Sequence, residues 1–142
     1  MKKTIDELLQ TPYMIIDILP YQVSRYSDGQ YFKVENYFLK EDRLSELKQK
    51  HINLILKLNC YHNISIDDEE EINPAPEIIA KTMRERYVFI RVDDAMILSE
   101  PDDTHLSVFN ANTRLLKLIK TLASSEGLYL WMPEEMQNTT IL

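Results

Sequence analysis

Apolar residues fill most of positions 87–98, the longest β-type stretch in the chain, and three charged residues interrupt them. Successive side chains of a strand point to opposite faces of a sheet. The apolar residues of one face are Val88, Ile90, Val92, Met96 and Leu98. Asp94 falls in the middle of that row, while Arg91 and Asp93 lie two residues apart on the other face. The pattern predicts a central strand with a polar interruption.

Three longer stretches carry apolar residues at helical spacing and predict the main helices. They cover about 41–59, 76–86, and the residues between a cap at Asn110 or Asn112 and Gly127. Residues 52–58 also alternate as a strand would. The periodicity that continues from residue 41 favours a helix there.

Shorter patterns complete the prediction. Thr4 and Glu7 have the spacing of a capping box, and residues 31–39 favour a helix over a strand. Further strands are predicted over 13–19, 61–66 and 128–132, with an antiparallel hairpin at about 95–109. The tail from Glu134 is expected to be loosely ordered.

The order of these elements predicts an α+β fold. A mixed sheet of four or five strands forms one layer, and about three main helices form the other layer of a two-layer sandwich. A chain of 142 residues is long enough to bury a core without disulfides or metal. A single domain over residues 1–142 with no internal linker is therefore expected.

Charge and composition restrict the partners. The chain has 23 acidic and 16 basic residues and a formal net charge of -7, so it lacks the attraction on which nucleic-acid binding depends. No apolar stretch approaches the roughly 20 residues needed to cross a bilayer, and the basic start is not followed by the apolar segment of a signal peptide. Together with the single cysteine, Cys60, these features predict a cytoplasmic protein with no membrane contact.

Motifs for several enzyme classes are missing. Gly29 and Gly127 are the only glycines, so a glycine-rich phosphate-binding loop is excluded and no cofactor is predicted. No metal-binding spacing of histidine and cysteine occurs, and His105 beside acidic residues is interpreted as part of an ordinary turn rather than a metal site. Cys60 and His62 would share a strand face, and a buried, inert cysteine is the favoured interpretation.

The candidate site consists of charged residues in or beside strands. These residues are Asp17, Arg91, Asp93, Asp94 and His105. If the first and central strands were neighbours, Asp17 and Asp94 would form a carboxylate pair able to share a proton or hold an ion. Catalysis or ligand binding by this set requires the residues to converge in one cleft. The competing interpretation is that a bulge turns the carboxylates to solvent.

The leading functional hypothesis is a small acidic binding or accessory protein that acts through a protein partner, as an inhibitor or immunity protein would. The acidic loops at 67–71 and 100–103 favour a basic partner. The alternative is an enzyme or small-ligand binder that uses the strand-borne carboxylates and Arg91. Because no catalytic motif is present, a binding protein is favoured over an enzyme. The aromatic residues of the first quarter are expected to belong to the core.

Overall fold

A computed structural model describes residues 3–136, which form six strands and five helices. The strands are β1 (Tyr13–Asp17), β2 (Ile64–Ile66), β3 (Val88–Val92), β4 (Ala95–Ser99), β5 (Leu106–Phe109) and β6 (Tyr129–Trp131). The helices are α1 (Ile5–Leu8), α2 (Tyr31–Phe38), α3 (Glu41–Asn59), α4 (Pro76–Glu85) and α5 (Thr113–Ser125). The helix predicted over 41–59 is confirmed, and a strand over 52–58 is excluded. The predicted loose tail lies largely in residues 137–142, outside the described residues.

The strands form one sheet in the order β2-β3-β4-β5-β1-β6, and every neighbouring pair is antiparallel. The α+β class predicted from the sequence is confirmed. The prediction of a mixed sheet of four or five strands is wrong, because no parallel pair occurs among the described strands and the sheet has six of them. The hairpin expected at about 95–109 is the β4–β5 pair.

The stretch over 87–98 is two strands rather than one. Its polar interruption, Asp93 and Asp94, is the two-residue turn of the β3–β4 hairpin, in which Val92 pairs with Ala95. Asp93 has a φ of 51°, a left-handed conformation that aspartate tolerates better than most residues. The turn also reverses which residues point to each face, so Met96 packs on the face opposite to Val92. The predicted shared face is therefore wrong beyond the turn.

The main core lies between the sheet and the three longer helices, α3, α4 and α5. Its central residues are fully buried and include Ile52, Ile55, Ile90, Ile97 and Ile119. A smaller apolar cluster on the opposite face joins Leu8 of α1 to Met96 and Phe109. The sheet is thus covered by helices on both faces, heavily on one and lightly on the other. Within residues 3–136, no helix has the length and apolar content to cross a bilayer.

Strand β2 forms one edge of the sheet, and the loop after it folds back along that edge. The Asn73 amide donates to the Ile64 carbonyl at 2.8 Å, and the Ile64 amide donates to Asn73 Oδ1 at 3.0 Å. Asn59 donates to the same oxygen at 2.8 Å. The loop therefore satisfies edge groups that would otherwise be open to pairing with another chain.

Replacing Asn73 by alanine is expected to destabilise the fold by roughly 2–3 kcal/mol. Asn73 has a φ of 57°, so alanine adds backbone strain to the loss of the side-chain hydrogen bonds. Asn73→Gly loses the same hydrogen bonds without the strain, and it should be more stable than Asn73→Ala by about 1 kcal/mol. Urea unfolding measures both variants. A glycine variant less stable than the alanine variant would contradict this account.

Candidate functional site

Polar side chains gather at the end of the sheet where β1 ends and β5 begins. This group, named here the His105 cluster, consists of Asp17, Lys48, His51, Asp103 and His105. Asp17 is the last residue of β1, Asp103 and His105 lie in the β4–β5 connection, and the other two come from one turn of α3. Asp17, Lys48 and His51 are buried although each carries an ionisable group. Each of these groups must therefore either be paired with an opposite charge or favour its neutral form.

The closest contact in the cluster joins Asp103 and His105. Asp103 Oδ1 lies 2.9 Å from His105 Nδ1. This hydrogen bond is the main cause of the raised pKa of His105, with the nearby charge of Asp17 acting in the same direction. Burial alone would raise the pKa of Asp103, but the hydrogen bonds and charge of His105 outweigh it and lower that pKa. The pair therefore favours an imidazolium next to a carboxylate.

Asp17 is 7% exposed, and its Oδ1 accepts a 2.8 Å hydrogen bond from the Ile18 amide. Burial raises the pKa of Asp17, against the lowering effects of that amide and of His105. The Trp131 indole N–H also faces the carboxylate and lowers its pKa, although it makes no hydrogen bond of ordinary geometry with a described residue. Asp17 and His105, both predicted as site residues, thus lie in one electrostatic environment.

Lys48 and His51 of α3 are the remaining two members of the His105 cluster. Lys48 Nζ donates to the Glu100 carbonyl at 2.8 Å and to Ser99 Oγ at 3.2 Å. Burial lowers the pKa of Lys48 to about 8, while the charge of Asp103 opposes the shift. Burial also lowers the pKa of His51 to about 3, and the adjacent Lys48 charge adds to the effect. Two bases are therefore held where their charged forms are disfavoured.

His51 is fully buried, and neither ring nitrogen makes a hydrogen bond of normal geometry with a described residue. The Thr104 backbone lies near enough to oppose the lowering of its pKa, but not to form such a bond. A buried polar group without a partner is unfavourable by roughly 1–3 kcal/mol. His51 is therefore a weak point in the core.

Helix α2 contacts the cluster from outside. Tyr31 Oη donates to Glu35 Oε2 at 2.8 Å across one helical turn. Burial raises the pKa of Tyr31, and the charges of Glu35, Asp17 and Asp103 raise it further. Glu35 in turn raises the pKa of His105. The electrostatics of the cluster therefore depend on α2 staying in place.

The acidic β3–β4 turn lies at the other end of the sheet. Asp93 Oδ2 is 2.9 Å from His62 Nδ1, a surface contact in which 54% of the Asp93 side chain is exposed. Asp94 is exposed as well, and its carbonyl accepts a hydrogen bond from Asn110 at 2.9 Å. Cys60 is exposed rather than buried as predicted, because it lies just beyond the end of α3.

Asp17 and Asp94 do not form a pair. Met96 and Tyr13 both align with Phe109 across the sheet, and from that row Asp17 and Asp94 lie in opposite directions. Their separation along the strands is on the order of 20 Å. Strand β5 also lies between β1 and β4, so the condition for a carboxylate pair, that the first and central strands are neighbours, is not met. A shared proton or ion between these two carboxylates is therefore excluded.

Arg91 belongs to a third region, on the lightly covered face of the sheet. It pairs in register with Ser65 of β2 and lines two adjoining cavities of about 370 and 220 Å3. We name these cavities together the Arg91 groove. Asp68, Glu69 and Glu70 line one part of it, and Asp93 lines the other. Arg91 and Asp93 therefore contribute to one groove, apart from the His105 cluster.

The sequence patterns did not reveal Lys48 and His51 as members of the His105 cluster, or Tyr31 and Glu35 as its neighbours on α2. His51 occupies a core position of the apolar stripe of α3, so the spacing predicts that it is buried. The spacing does not predict which residues surround it. Lys48 lies one turn before Ile52 on the same helix, a spacing that marks it as close to the buried stripe. No group of three or more metal-ligating side chains is placed to hold an ion within residues 3–136.

Comparison of the chain with protein-family models, with curated protein sequences and with solved structures finds no match. Its chemistry can therefore be argued only from its own residues.

Proposed function

We propose that the protein acts by binding a protein partner and that the segment over residues 21–37, named here the aromatic segment, makes the contact. The observation that carries the proposal is the exposure of its large side chains. Tyr21, Tyr26 and Phe32 are 73%, 78% and 76% exposed. Solvent-exposed aromatics on one segment are typical of interaction surfaces. The expectation that these residues belong to the core is wrong for these three.

Helix α2 favours this proposal because it packs poorly against the rest of the protein. None of its eight residues is buried. A helix this short is marginal in water without packing, so its remaining contacts, such as the Tyr31 and Glu35 pair, hold it weakly. A partner that covers Phe32 and Tyr37 would supply the missing packing.

Charge indicates what kind of contact is expected. The aromatic segment contains two basic and two acidic residues, Arg25, Lys33, Asp28 and Glu35, so it has no net charge. Two acidic loops were expected to attract a basic partner. In the loop at 100–103, Asp103 turns inward and contacts His105. The loop at 67–71 borders the Arg91 groove. Binding through the aromatic segment should therefore depend on apolar contact and vary little with salt.

We also propose a cytoplasmic, inhibitor-like or accessory role, supported by the single free cysteine and the net charge of -7, which disfavours nucleic acid. A catalytic role finds less support, because the carboxylates Asp17 and Asp94 are far apart.

The double variant Phe32→Ser/Tyr26→Ser is expected to lower recovery of a partner at least about tenfold, because hot-spot aromatics each contribute 2 kcal/mol or more. Stability should change by less than about 0.5 kcal/mol, since both side chains are exposed. The immobilised protein is incubated with a lysate of its native host, and captured proteins are quantified by mass spectrometry.

The matched control is Tyr61→Ser/Tyr129→Ser, which removes two exposed aromatics outside the segment. It should recover the same partner as the unmodified protein, at both low and high salt. Equal losses in both double variants, or a partner that is released by about 0.5 M salt, would contradict binding through the aromatic segment. Repeated recovery of nothing would contradict the proposed function itself.

A further inference from the structure

Arg91 is buried without enough partners. Its side chain is 3% exposed, and Nη2 donates a hydrogen bond to the Lys3 carbonyl at 2.7 Å. Nε and Nη1 have no hydrogen-bond partner among the residues the structure describes. A guanidinium keeps its charge at all physiological pH values, so it cannot relieve burial by losing a proton. Such a group is unfavourable for folding unless another interaction compensates it.

One carboxylate approaches Arg91 but does not satisfy it. Asp68 Oδ1 lies 3.3 Å from Nε, and the Asp68 side chain is 42% exposed. The N–H of Nε does not point at that oxygen closely enough to form a hydrogen bond. Asp67 and Asp68 both adopt positive φ, 50° and 60°, so the loop that carries this carboxylate is strained. Asp68 shows that a carboxylate can reach Nε, and its poor geometry leaves room for a better one.

The groove above Arg91 has the size and lining of a ligand site. Its larger cavity, of about 370 Å3, lies within the range of small-molecule pockets. Ser65 offers a hydroxyl group and Ile72, 53% exposed, offers an apolar surface. Asp68, Glu69 and Glu70 place three carboxylates along the same cavity. A purely anionic ligand would be repelled by these carboxylates, whereas a purely cationic ligand would leave Arg91 unsatisfied.

We propose that the Arg91 groove binds a small zwitterion with a cationic side chain, such as a basic amino acid or the basic C-terminal residue of a peptide. The ligand carboxylate replaces Asp68 on the Arg91 guanidinium and accepts from Nε the charge-assisted hydrogen bond that Asp68 does not make. The displaced Asp68, together with Glu69 and Glu70, pairs with the cationic groups. This site is separate from the aromatic segment, so either proposal can fail while the other stands.

Isothermal titration of the full chain with four probes tests both halves of the recognition and the source of the ligand. L-arginine carries both groups and is expected to bind. L-argininamide lacks the carboxylate. It is expected to bind at least about tenfold more weakly, because one charge-assisted hydrogen bond is lost. Propionate lacks the cation and is expected to give no heat. Tighter binding of Gly-Gly-Arg than of L-arginine would identify a chain terminus as the natural ligand, and the reverse order would identify a free amino acid.

Variants assign the site. Arg91→Met keeps the apolar stem and removes the charge, so binding of L-arginine is lost while the Tm does not fall, because an undersatisfied buried charge is removed. Arg91→Lys keeps a charge without the planar fork and is expected to bind about tenfold more weakly. Glu69→Gln/Glu70→Gln is expected to weaken L-arginine binding roughly threefold or more. Arg84→Met, on a helix of the other face, is the control and should bind as the unmodified protein does.

Several results would overturn the proposal. They are the absence of binding to the unmodified protein at about 10 mM L-arginine, equal affinity for L-argininamide, and undiminished binding in folded Arg91→Met or Arg91→Lys. A large drop in Tm for Arg91→Met would show that Arg91 serves the fold rather than a ligand.

Discussion

Replacing His51 by leucine is expected to stabilise the protein, by about 1–3 kcal/mol at pH 7, although it removes a polar residue of the core. The side chain is fully buried, neither nitrogen has a hydrogen bond of ordinary geometry to any residue within 3–136, and leucine has a similar volume. The substitution therefore removes an unsatisfied polar group without opening a cavity.

The gain should increase as the pH falls. The pKa of His51 is lowered from 6.5 to about 3 in the folded protein, so the unfolded chain takes up a proton between these values and the folded chain does not. Stability is thereby lost as the pH falls below about 6.5, and at 1.36 kcal/mol per pKa unit the loss reaches about 3 kcal/mol at pH 4. His51→Leu removes this contribution.

Other groups titrate over the same range, so the difference between His51→Leu and the unmodified protein is the informative quantity. The raised pKa of His105 acts in the opposite direction: its contribution is fully present below about 6.5 and is lost as the pH rises through its folded pKa. Urea unfolding at pH 7, 5.5 and 4 measures the difference. Leu8→Ala, which removes no titratable group, is the control and should show no such trend. A difference that does not vary with pH would contradict the buried, neutral state of His51.

Replacing Ile97 by alanine is expected to destabilise the protein by about 4 kcal/mol, near the top of the range for buried large-to-small substitutions. Ile97 is fully buried in a central strand between the sheet and the three longer helices, where neighbours on all sides are held in place. The resulting cavity cannot collapse.

Leu8→Ala is the matched comparison, because Leu8 is also fully buried but lies on the lightly covered face. Helix α1 has only four residues and can shift toward the sheet. We expect a loss of about 2–3 kcal/mol for Leu8→Ala. Urea unfolding of both variants gives the order, and a larger effect for Leu8→Ala would contradict the division into a main core and a minor one.

Local patterns predicted most of the elements because local physics determines them. The apolar stripe of α3 runs from Leu47 to Leu58 with a helical period, and the structure has the helix at Glu41–Asn59. The capping box of Thr4 and Glu7 forms as the spacing indicated. Asn112 caps α5 by accepting a hydrogen bond from the Leu115 amide at 2.8 Å. Each of these features depends on residues within a few positions of one another.

The hairpin within 87–98 was not predicted, because its turn lacks the usual local sequence signal. Two-residue hairpin turns usually contain glycine or asparagine, and this one is Asp93-Asp94. Without that signal the carboxylates looked like an interruption inside one long strand. The error moved Met96 and Leu98 to the wrong face, because a two-residue turn reverses the alternation.

The candidate site residues lie in separate regions of the structure, because local sequence does not determine the order of strands in a sheet. Asp17, Arg91, Asp93, Asp94 and His105 were chosen as charged residues at strands, and the chain contains nothing that says which strands are neighbours. The structure brings Asp17 to His105 and places Arg91 and Asp93 along another groove. It leaves Asp94 at a turn on the surface.

The sequence by itself determined the α+β class, the positions of the main helices and the acidic net charge, because composition and short-range periodicity carry that information. Only the tertiary structure decided the antiparallel order of the six strands, the burial of Lys48 and His51 beside Asp103, and the exposure of the aromatic segment. It also left Arg91 buried with two nitrogens that have no hydrogen-bond partner in the described part of the chain. These features arise from packing between residues distant along the chain, and burial converts ordinary side chains there into groups with altered protonation or unmet hydrogen bonds.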